Sequence, residues 1–182
     1  MRRLVVALIA CAAVGVGVPP AAAQPTAWVS VGGQAALEQG RLGDVLGIGG
    51  NALVNVGAHL WRLGPFLLGV DAEATAGRVT AELGPADDKI TVYRGRAGLR
   101  LTWWGTEDEE PYWVPYARAG AVYRTDRGHL IRDDGFGWYV AGGFDYRLSD
   151  TWSIGPFAAY EAVSLSIDTE TVLVGFALTF SF

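Results

Sequence analysis

The sequence predicts an all-β fold, a transmembrane, antiparallel, up-and-down β-barrel of about eight strands. Three observations lead to this expectation. Apolar residues alternate with small or polar ones at a period of two, short and long connections alternate between the candidate strands, and tryptophans gather at one end of these strands. After residue 24 no apolar run reaches the roughly 18 residues that a transmembrane helix needs, so strands are the remaining way to cross a membrane.

The first 23 residues have the features of a secretory signal peptide. Two arginines open the chain, an apolar stretch runs from Leu4 to Val18, and the alanines at 21–23 supply a small-residue cleavage site. We therefore expect residues 1–23 to be removed and residues 24–182 to form the barrel domain. A second interpretation uses the segment Leu8–Ile9–Ala10–Cys11 as a lipoprotein box and places a lipid on Cys11 in the middle of the apolar stretch.

Composition excludes several function classes. If Cys11 is removed with the signal, the mature chain has no cysteine, so disulfides and thiolate metal sites are excluded. Without Arg2 and Arg3 the chain keeps 12 basic and 19 acidic residues, a net charge of −7, which argues against nucleic-acid binding. The hydrophobic fraction of 51% is high for a soluble protein of this size. No cofactor is expected.

Alternation is clearest at the C-terminus, where apolar side chains occupy every second position from Val172 to Phe182. The residues between them are mostly small or hydroxylated. The same split recurs at 66–77, 93–103 and 138–148, and less regularly at 27–37, 51–61, 113–124 and 152–162.

The connections also fit a barrel with two unlike ends. They are short at Arg62–Pro65 and Ser149–Thr151 and longer near 38–50, 78–90, 125–136 and 163–170, while the acidic Gly105–Pro111 turn is an exception. Tryptophans concentrate where a membrane meets water. We expect a girdle at the short-turn end, formed by Trp28, Trp61, Trp103, Trp104, Trp113 and Trp152.

Two segments and the C-terminus carry a family resemblance. The run Gly142–Gly155, in which a strand ending in Asp-Tyr-Arg-Leu and a polar turn precede a tryptophan, resembles the small OmpA/OmpX-type outer-membrane barrel families, as does Pro115–Gly120. The C-terminal alternation is similar to the sorting signal read by the barrel-assembly machinery; its residues are Phe176, Leu178, Phe180 and Phe182. The resemblance covers nearly all of 24–182.

The resemblance implies a monomeric protein of the bacterial outer membrane, with outer-membrane lipid, lipopolysaccharide and the barrel-assembly machinery as partners. Pro115 and Pro156 depart from the pattern, because each removes a ladder hydrogen bond inside a predicted strand. We expect bulges or strand ends at these two positions.

Ionisable residues on the polar faces of the strands are predicted to lie inside the barrel. An eight-stranded barrel has an interior just wide enough for side chains, and unpaired charges there are costly. We therefore expect a mutually neutralising network that plugs the lumen. Its predicted members are Asp71, Glu73, Arg94, Arg96, Arg100, Arg118, Asp145, Arg147 and Glu161.

Four kinds of function remain. The leading hypothesis is a structural or surface-interaction barrel; a narrow channel, an outer-membrane lipid-modifying enzyme and a soluble lipocalin-like carrier are the alternatives. The enzyme is disfavoured because no His-x-Ser spacing is present, and because nearby arginines keep Asp71 and Glu73 ionised rather than able to act as a general acid. His59 is expected to be a hydrogen-bonding residue of the lumen, and the acidic Glu107–Glu110 a solvated turn rather than a cation site.

The C-terminal residue provides a first test. Substituting Phe182→Ser, or deleting Phe182, is expected to cut outer-membrane yield in cells much more than it weakens the refolded protein, because one ring at a barrel end contributes little folding energy compared with a recognition signal. Yield is measured in isolated outer membranes and stability by urea unfolding. Equal yields of the variant and the unmodified protein would contradict the assembly signal.

Overall fold

A computed structural model describes residues 27–39, 48–82, 87–105, 111–129, 132–166 and 168–182, and it shows a closed barrel of eight antiparallel strands. Each strand pairs with the next, and the last pairs with the first. The strands are β1 (Ala27–Gln39), β2 (Gly49–Leu63), β3 (Phe66–Glu82), β4 (Asp87–Trp103), β5 (Trp113–Arg127), β6 (Arg132–Arg147), β7 (Trp152–Ser164) and β8 (Thr169–Ser181).

The predicted fold class is therefore confirmed, with every predicted strand present. The strands are longer than predicted at the long-loop end. β3 continues to Glu82 and β4 begins at Asp87, where the sequence predicted a connection over 78–90, because the pairing of Thr80 with Lys89 prolongs the hairpin. The signal peptide at 1–23 and the acidic segment at 107–110 lie outside the described residues.

The barrel is apolar outside and polar inside. On β8, Phe176 is 61% exposed on the outer face, whereas Thr171 on the alternate face is 0% exposed. On the other strands too, the exposed large apolar side chains lie on the outer face and the buried charged side chains lie on the inner face. This is the distribution expected of strands that contact lipid. In the described part of the chain, no helix has the length and apolar character to cross a membrane.

The predicted tryptophan girdle is partly wrong. Trp61, Trp103, Trp113 and Trp152 are exposed on the outside at the short-turn end, as predicted. Trp28 instead points into the lumen, where it is 3% exposed and donates a hydrogen bond from Nε1 to Oδ1 of Asn55 at 2.8 Å. It shares its face with the buried Ser30, so the period of two, rather than its position at a strand end, decides its direction. Trp104 is half-buried at the mouth of the lumen.

The sequence predicted a bulge or a strand end at each of the two prolines, and the register shows no bulge at either. Pro115 lies two residues inside β5 and keeps its position opposite Phe144. At Pro156 the pairing of β6 with β7 stops after Gly143↔Phe157 and resumes at Tyr146↔Ile154 with the register unchanged. Since proline has no N–H to donate, a local gap in the ladder replaces a bulge. Within the described strands the register shifts between His59 and Trp61 of β2.

Gly155 and Gly50 differ in the space that the barrel wall leaves for a side chain. A Cβ atom at Gly155 would overlap the carbonyl oxygen of Phe144, whereas a Cβ atom at Gly50 would meet no heavy atom within 4 Å. Gly155→Ala is therefore expected to lower the free energy of unfolding by about 1–3 kcal/mol, and Gly50→Ala to change it by less than about 0.5 kcal/mol. Urea unfolding of the refolded barrel measures both. Equal effects would show that the wall relaxes freely around residue 155.

Candidate functional site in the barrel lumen

The lumen charges meet because their strands place them on one face in register. On β4, Arg94, Arg96 and Arg100 alternate with outward residues, and antiparallel pairing puts Arg96 directly opposite Glu73 of β3. The Arg96 Nη1 atom contacts the Glu73 Oε1 atom at 2.7 Å, and both side chains are 1% exposed. The hairpin of the consecutive strands β3 and β4 thus provides the first ion pair of the lumen.

A second arginine binds the same carboxylate from β5. Arg118 Nη1 lies 2.9 Å from Glu73 Oε2, and Arg118 Nε is paired with Asp71 Oδ2. The Tyr139 hydroxyl of β6 donates to Asp71 Oδ1 at 3.3 Å. The Tyr139 ring also lies 5.5 Å from the guanidinium carbon of Arg96 and 5.6 Å from that of Arg118, within the range of a cation–π contact. The carboxylates of Asp71 and Glu73 and the ring of Tyr139 therefore surround the two guanidinium groups of Arg96 and Arg118.

A further cluster continues the network toward the long-loop end. Glu161 of β7 accepts hydrogen bonds from Arg94 Nε and from Arg96 Nη2, the latter at 2.8 Å. Arg94 Nη2 also pairs with Glu38 Oε1 at 3.2 Å, and Arg124 Nη1 pairs with Glu38 Oε2 at 2.9 Å. Glu161 thus joins the two clusters, since it contacts one arginine from each.

The result is one continuous chain of ion pairs in which the sign of the charge alternates. Arg124 adds a two-bond contact with Asp126, through Nε at 2.8 Å and Nη2 at 2.9 Å. In order from the long-loop end, the chain is Asp126, Arg124, Glu38, Arg94, Glu161, Arg96, Glu73, Arg118 and Asp71. We call this set the lumen chain. Every interior member of it has an opposite charge on each side, which compensates for burial.

A separate pair occupies the short-turn end. Arg100 Nη2 lies 2.7 Å from Asp145 Oδ2, and Arg100 Nε donates to Thr102 Oγ1 at 3.2 Å. The Arg100 guanidinium lies 3.9 Å from the ring centre of Tyr116 and 4.8 Å from that of Trp28. This contact gives the inward-facing Trp28 a role in holding the arginine.

One predicted member of the network lies at the rim instead. Arg147 is half-buried at the short-turn mouth, with its guanidinium 5.1 Å from the ring centre of Trp104. It pairs at 3.9 Å with the fully exposed Asp150. This placement corrects its assignment to the lumen interior, and the reason is its position as the last residue of β6, where the inward face reaches solvent.

Three members of the lumen chain were missed by the sequence reasoning. Glu38 and Asp126 fall in segments predicted as loops, and Arg124 ends a predicted strand. Each is nevertheless in phase with inward residues of its strand: Glu38 follows Gln34 and Ala36, and Arg124 follows Arg118 and Val122 at even spacing. Extending the period of two beyond the apolar segment would have found all three.

The two cavities found in the described part of the lumen are small. They have volumes of about 30 and 20 Å³ and lie near the Arg100–Asp145 pair, each with room for a water molecule or two. His59 lines the larger one and its Nε2 atom lies 3.4 Å from Thr102 Oγ1, which confirms the expected hydrogen-bonding role in the lumen. Among the described residues, no group of three potential metal ligands comes together.

Comparison with known proteins identifies the family. The family model of the outer membrane protein beta-barrel domain matches residues 8–180. The chain belongs to this family. Among solved structures it is similar to Neisserial surface protein A (NspA), with a TM-score of 0.65 and 15% identity over 86% of this chain and 97% of that one. It is also similar to Ail, the attachment invasion locus protein of Yersinia pestis, with a TM-score of 0.55 and 14% identity over 87% of this chain and 100% of that one.

At these identities the two structures show the fold alone. No curated protein matches the chain significantly in sequence. Family membership confirms the resemblance expected from the sequence and points to the bacterial outer membrane. Proteins of this kind have short turns on the periplasmic side and longer loops outside. The turns after Leu63 and Arg147 and the described termini at Ala27 and Phe182 share one end of the barrel, the end that is periplasmic in proteins of this kind.

The lumen chain predicts a large cost for removing one central charge. Glu161→Gln keeps the size of the side chain but leaves Arg94 and Arg96 undercompensated, so the free energy of unfolding is expected to fall by about 3–5 kcal/mol. The matched control is Glu170→Gln on the outer face of β8, where the carboxylate is exposed and a change within about 0.5 kcal/mol is expected. Urea unfolding in lipid vesicles measures both. Equal values for the two variants would show that the lumen is wet enough to screen its charges.

Proposed function

We propose that this protein is a closed outer-membrane barrel with a structural or surface-interaction role, whose lumen is plugged by its own salt-bridge network. The observation that carries the proposal is the lumen chain of nine side chains with alternating charge from Asp126 to Asp71. With the lumen closed, the protein acts through its wall and its outer loops.

The dimensions of the barrel support the plug. An eight-stranded interior is just wide enough for its side chains. Here the described lumen holds five arginines and six carboxylates, counting the Arg100–Asp145 pair. Each of these side chains is at most 10% exposed. An ion that crossed this region would have to displace ion pairs that are bonded on both sides. The free energy of such a step opposes conduction.

The same pairing argues against a catalytic site in the lumen. A general acid needs a carboxyl group that keeps its proton near neutral pH, and a positive neighbour favours the ionised form. Glu73, Glu161 and Glu38 each contact two arginines. These carboxylates are therefore suited to holding arginines in place, and we propose that the protein is not an enzyme.

Secretion and assembly form part of the proposal. Residues 1–23 direct export and are cleaved, and the alternate C-terminal residues from Phe176 to Phe182 are read by the barrel-assembly machinery. The side chains of Phe176 and Phe182 are each 61% exposed on the outside of the barrel, which leaves them available for recognition. The mature protein is then a monomer surrounded by lipid and lipopolysaccharide.

The names of the two similar proteins agree with a surface role. One is a Neisserial surface protein and the other an attachment invasion locus protein. These two proteins are similar to this chain in fold. The partner of this protein depends on the sequence of its own outer loops. The proposal for this chain depends on the filled lumen.

Conductance tests the plug directly. The unmodified protein in a planar bilayer is expected to conduct ions poorly, and Arg96→Ala is expected to open a measurable leak, because it removes the guanidinium that joins Glu73 to Glu161. The control is Arg62→Ala, an exposed residue at the periplasmic end that donates to the Gly64 carbonyl, and it should conduct as poorly as the unmodified protein. A large, steady conductance of the unmodified protein would reject the plug and favour a narrow channel.

A further inference from the structure

His59 lies on the inner face of β2 at the short-turn mouth of the lumen, directly before the register shift between His59 and Trp61. Gly69 of β3 is paired with His59 on one side and with Arg100 of β4 on the other. Because neighbouring strands are about 5 Å apart and glycine has no side chain, the imidazole and the guanidinium extend from backbones roughly 10 Å apart with no side chain between them. Both line the larger lumen cavity.

The Thr102 hydroxyl connects these two side chains. Its Oγ1 atom accepts a hydrogen bond from Arg100 Nε at 3.2 Å and lies 3.4 Å from His59 Nε2. The hydroxyl keeps its own hydrogen for donation, so a neutral His59 accepts that hydrogen at Nε2. A protonated imidazole carries a hydrogen on both nitrogens and accepts none. The Thr102 hydrogen would then have to turn away, and two cations would donate to one oxygen.

Aromatic rings hold Arg100 at the mouth. The ring of Trp28 lies 4.6 Å from the ring of His59 and 4.8 Å from the guanidinium carbon of Arg100. The ring of Tyr116 lies 3.9 Å from the same carbon. A positive charge on His59 would therefore share the Trp28 indole with the positive charge of Arg100.

The Arg100–Asp145 ion pair, which we call the latch, lies between the two lumen cavities. Both of its residues line both cavities, and the bond between Arg100 Nη2 and Asp145 Oδ2 measures 2.7 Å. Beyond the latch, the smaller cavity reaches Arg118, whose Nη2 atom is buried without a hydrogen-bond partner among the described residues. Water that passed the latch would find a donor to bind there.

Charged and titratable groups face His59 from four strands. They are Asp71 on β3, Arg100 on β4, Tyr116 and Arg118 on β5, and Asp145 and Arg147 on β6. Both carboxylates are already paired, Asp71 with Arg118 and Asp145 with Arg100. The residues of β1 and β8 that line the cavity carry no charge; they are Trp28, Thr179 and Ser181. A proton on His59 therefore adds positive charge beside Arg100 without a carboxylate left to neutralise it.

We propose that His59 binds a proton as the pH falls below neutral and thereby releases the Arg100–Asp145 latch, which admits water from the short-turn end of the lumen as far as Arg118. Histidine is the side chain whose charge ordinarily changes between about pH 5 and 8. The lumen chain consists of carboxylates and guanidinium groups, whose charges are constant in this range, so it stays closed. This control of access to the lumen goes beyond the proposed structural or surface role.

Urea unfolding of the refolded full chain at pH 7.5 and pH 5.5 measures the linkage between proton binding and folding. The folding equilibrium constant is expected to fall by about tenfold at the lower pH, because His59 binds a proton more readily in the unfolded chain, away from Arg100. His59→Gln keeps a hydrogen-bonding side chain that does not titrate, and it should abolish this pH step. The control is His129→Gln at the long-loop end, the exposed second histidine of the sequence, which should retain the step. A step of the same size in His59→Gln would overturn His59 as the proton site.

Arg100→Met distinguishes the latch from simple burial of the imidazole. Without the guanidinium, Asp145 becomes the partner of a protonated His59, so the folding equilibrium constant should rise rather than fall at pH 5.5. An unchanged step would show that His59 acts without Arg100, and it would overturn the latch. Heat-dependent gel migration shows whether the variant is folded. If it is not, Thr102→Val serves instead, because it removes the shared oxygen and should reduce the step to about threefold or less.

The indole N–H of Trp28 measures the opening itself. It donates to Asn55 Oδ1 at 2.8 Å inside the mouth, and its NMR signal is assigned by its absence in Trp28→Phe. At pH 5.5 this hydrogen is expected to exchange with deuterated water about tenfold faster in the unmodified protein than in His59→Gln, because the mouth opens locally. At pH 7.5 the two proteins should agree within about twofold. Equal exchange at pH 5.5 would show that the latch stays closed after protonation and would overturn the proposal.

Discussion

Backbone hydrogen bonding in lipid is the constraint on which the rest of this structure depends. No water is present to satisfy an N–H or C=O group inside the membrane, so the sheet has to close on itself, as β1 and β8 do through their continuous pairing. Closure with eight strands fixes a narrow interior. The interior then has to be filled by side chains that neutralise one another, and the alternating lumen chain meets this requirement.

Because the barrel is closed, successive side chains of a strand lie in opposite environments, one in the lumen and the next in the lipid. Arg96 and Ala97 are sequence neighbours, yet one holds two carboxylates in the lumen and the other forms a smooth patch of the lipid-facing wall. Basic residues likewise divide into two populations. Those inside are saturated by acids, whereas Arg78, Lys89 and Arg132 outside have no described acidic partner. The distinction comes from strand phase alone, because the residue types are the same.

Strand phase also explains how far the sequence could predict the structure. Alternation located every strand and assigned Glu73 and Arg96 to the inner face, since both lie in regular segments. It failed where local chemistry resembled a loop: Glu38 and Asp126 lie in polar segments that continue as strand. Trp28 was assigned by its position at a strand end although its phase pointed inward. The contacts across the lumen, such as Glu38 with Arg124, depend on barrel closure and have no local sequence signal.

The lumen chain has a consequence for the order of assembly. Glu38 of the first strand bonds to Arg124, 86 residues away, and accepts a hydrogen bond from Thr171 of the last strand, 133 residues away. Within the lumen chain, Glu73–Arg96 forms inside one hairpin and Arg124–Asp126 inside one strand, so an incomplete barrel leaves Glu38 and Arg94 without their partners. Partial insertion is therefore energetically unfavourable. The final closure of β1 against β8 completes the electrostatic pairing in one cooperative step, which selects against half-built barrels persisting in the membrane.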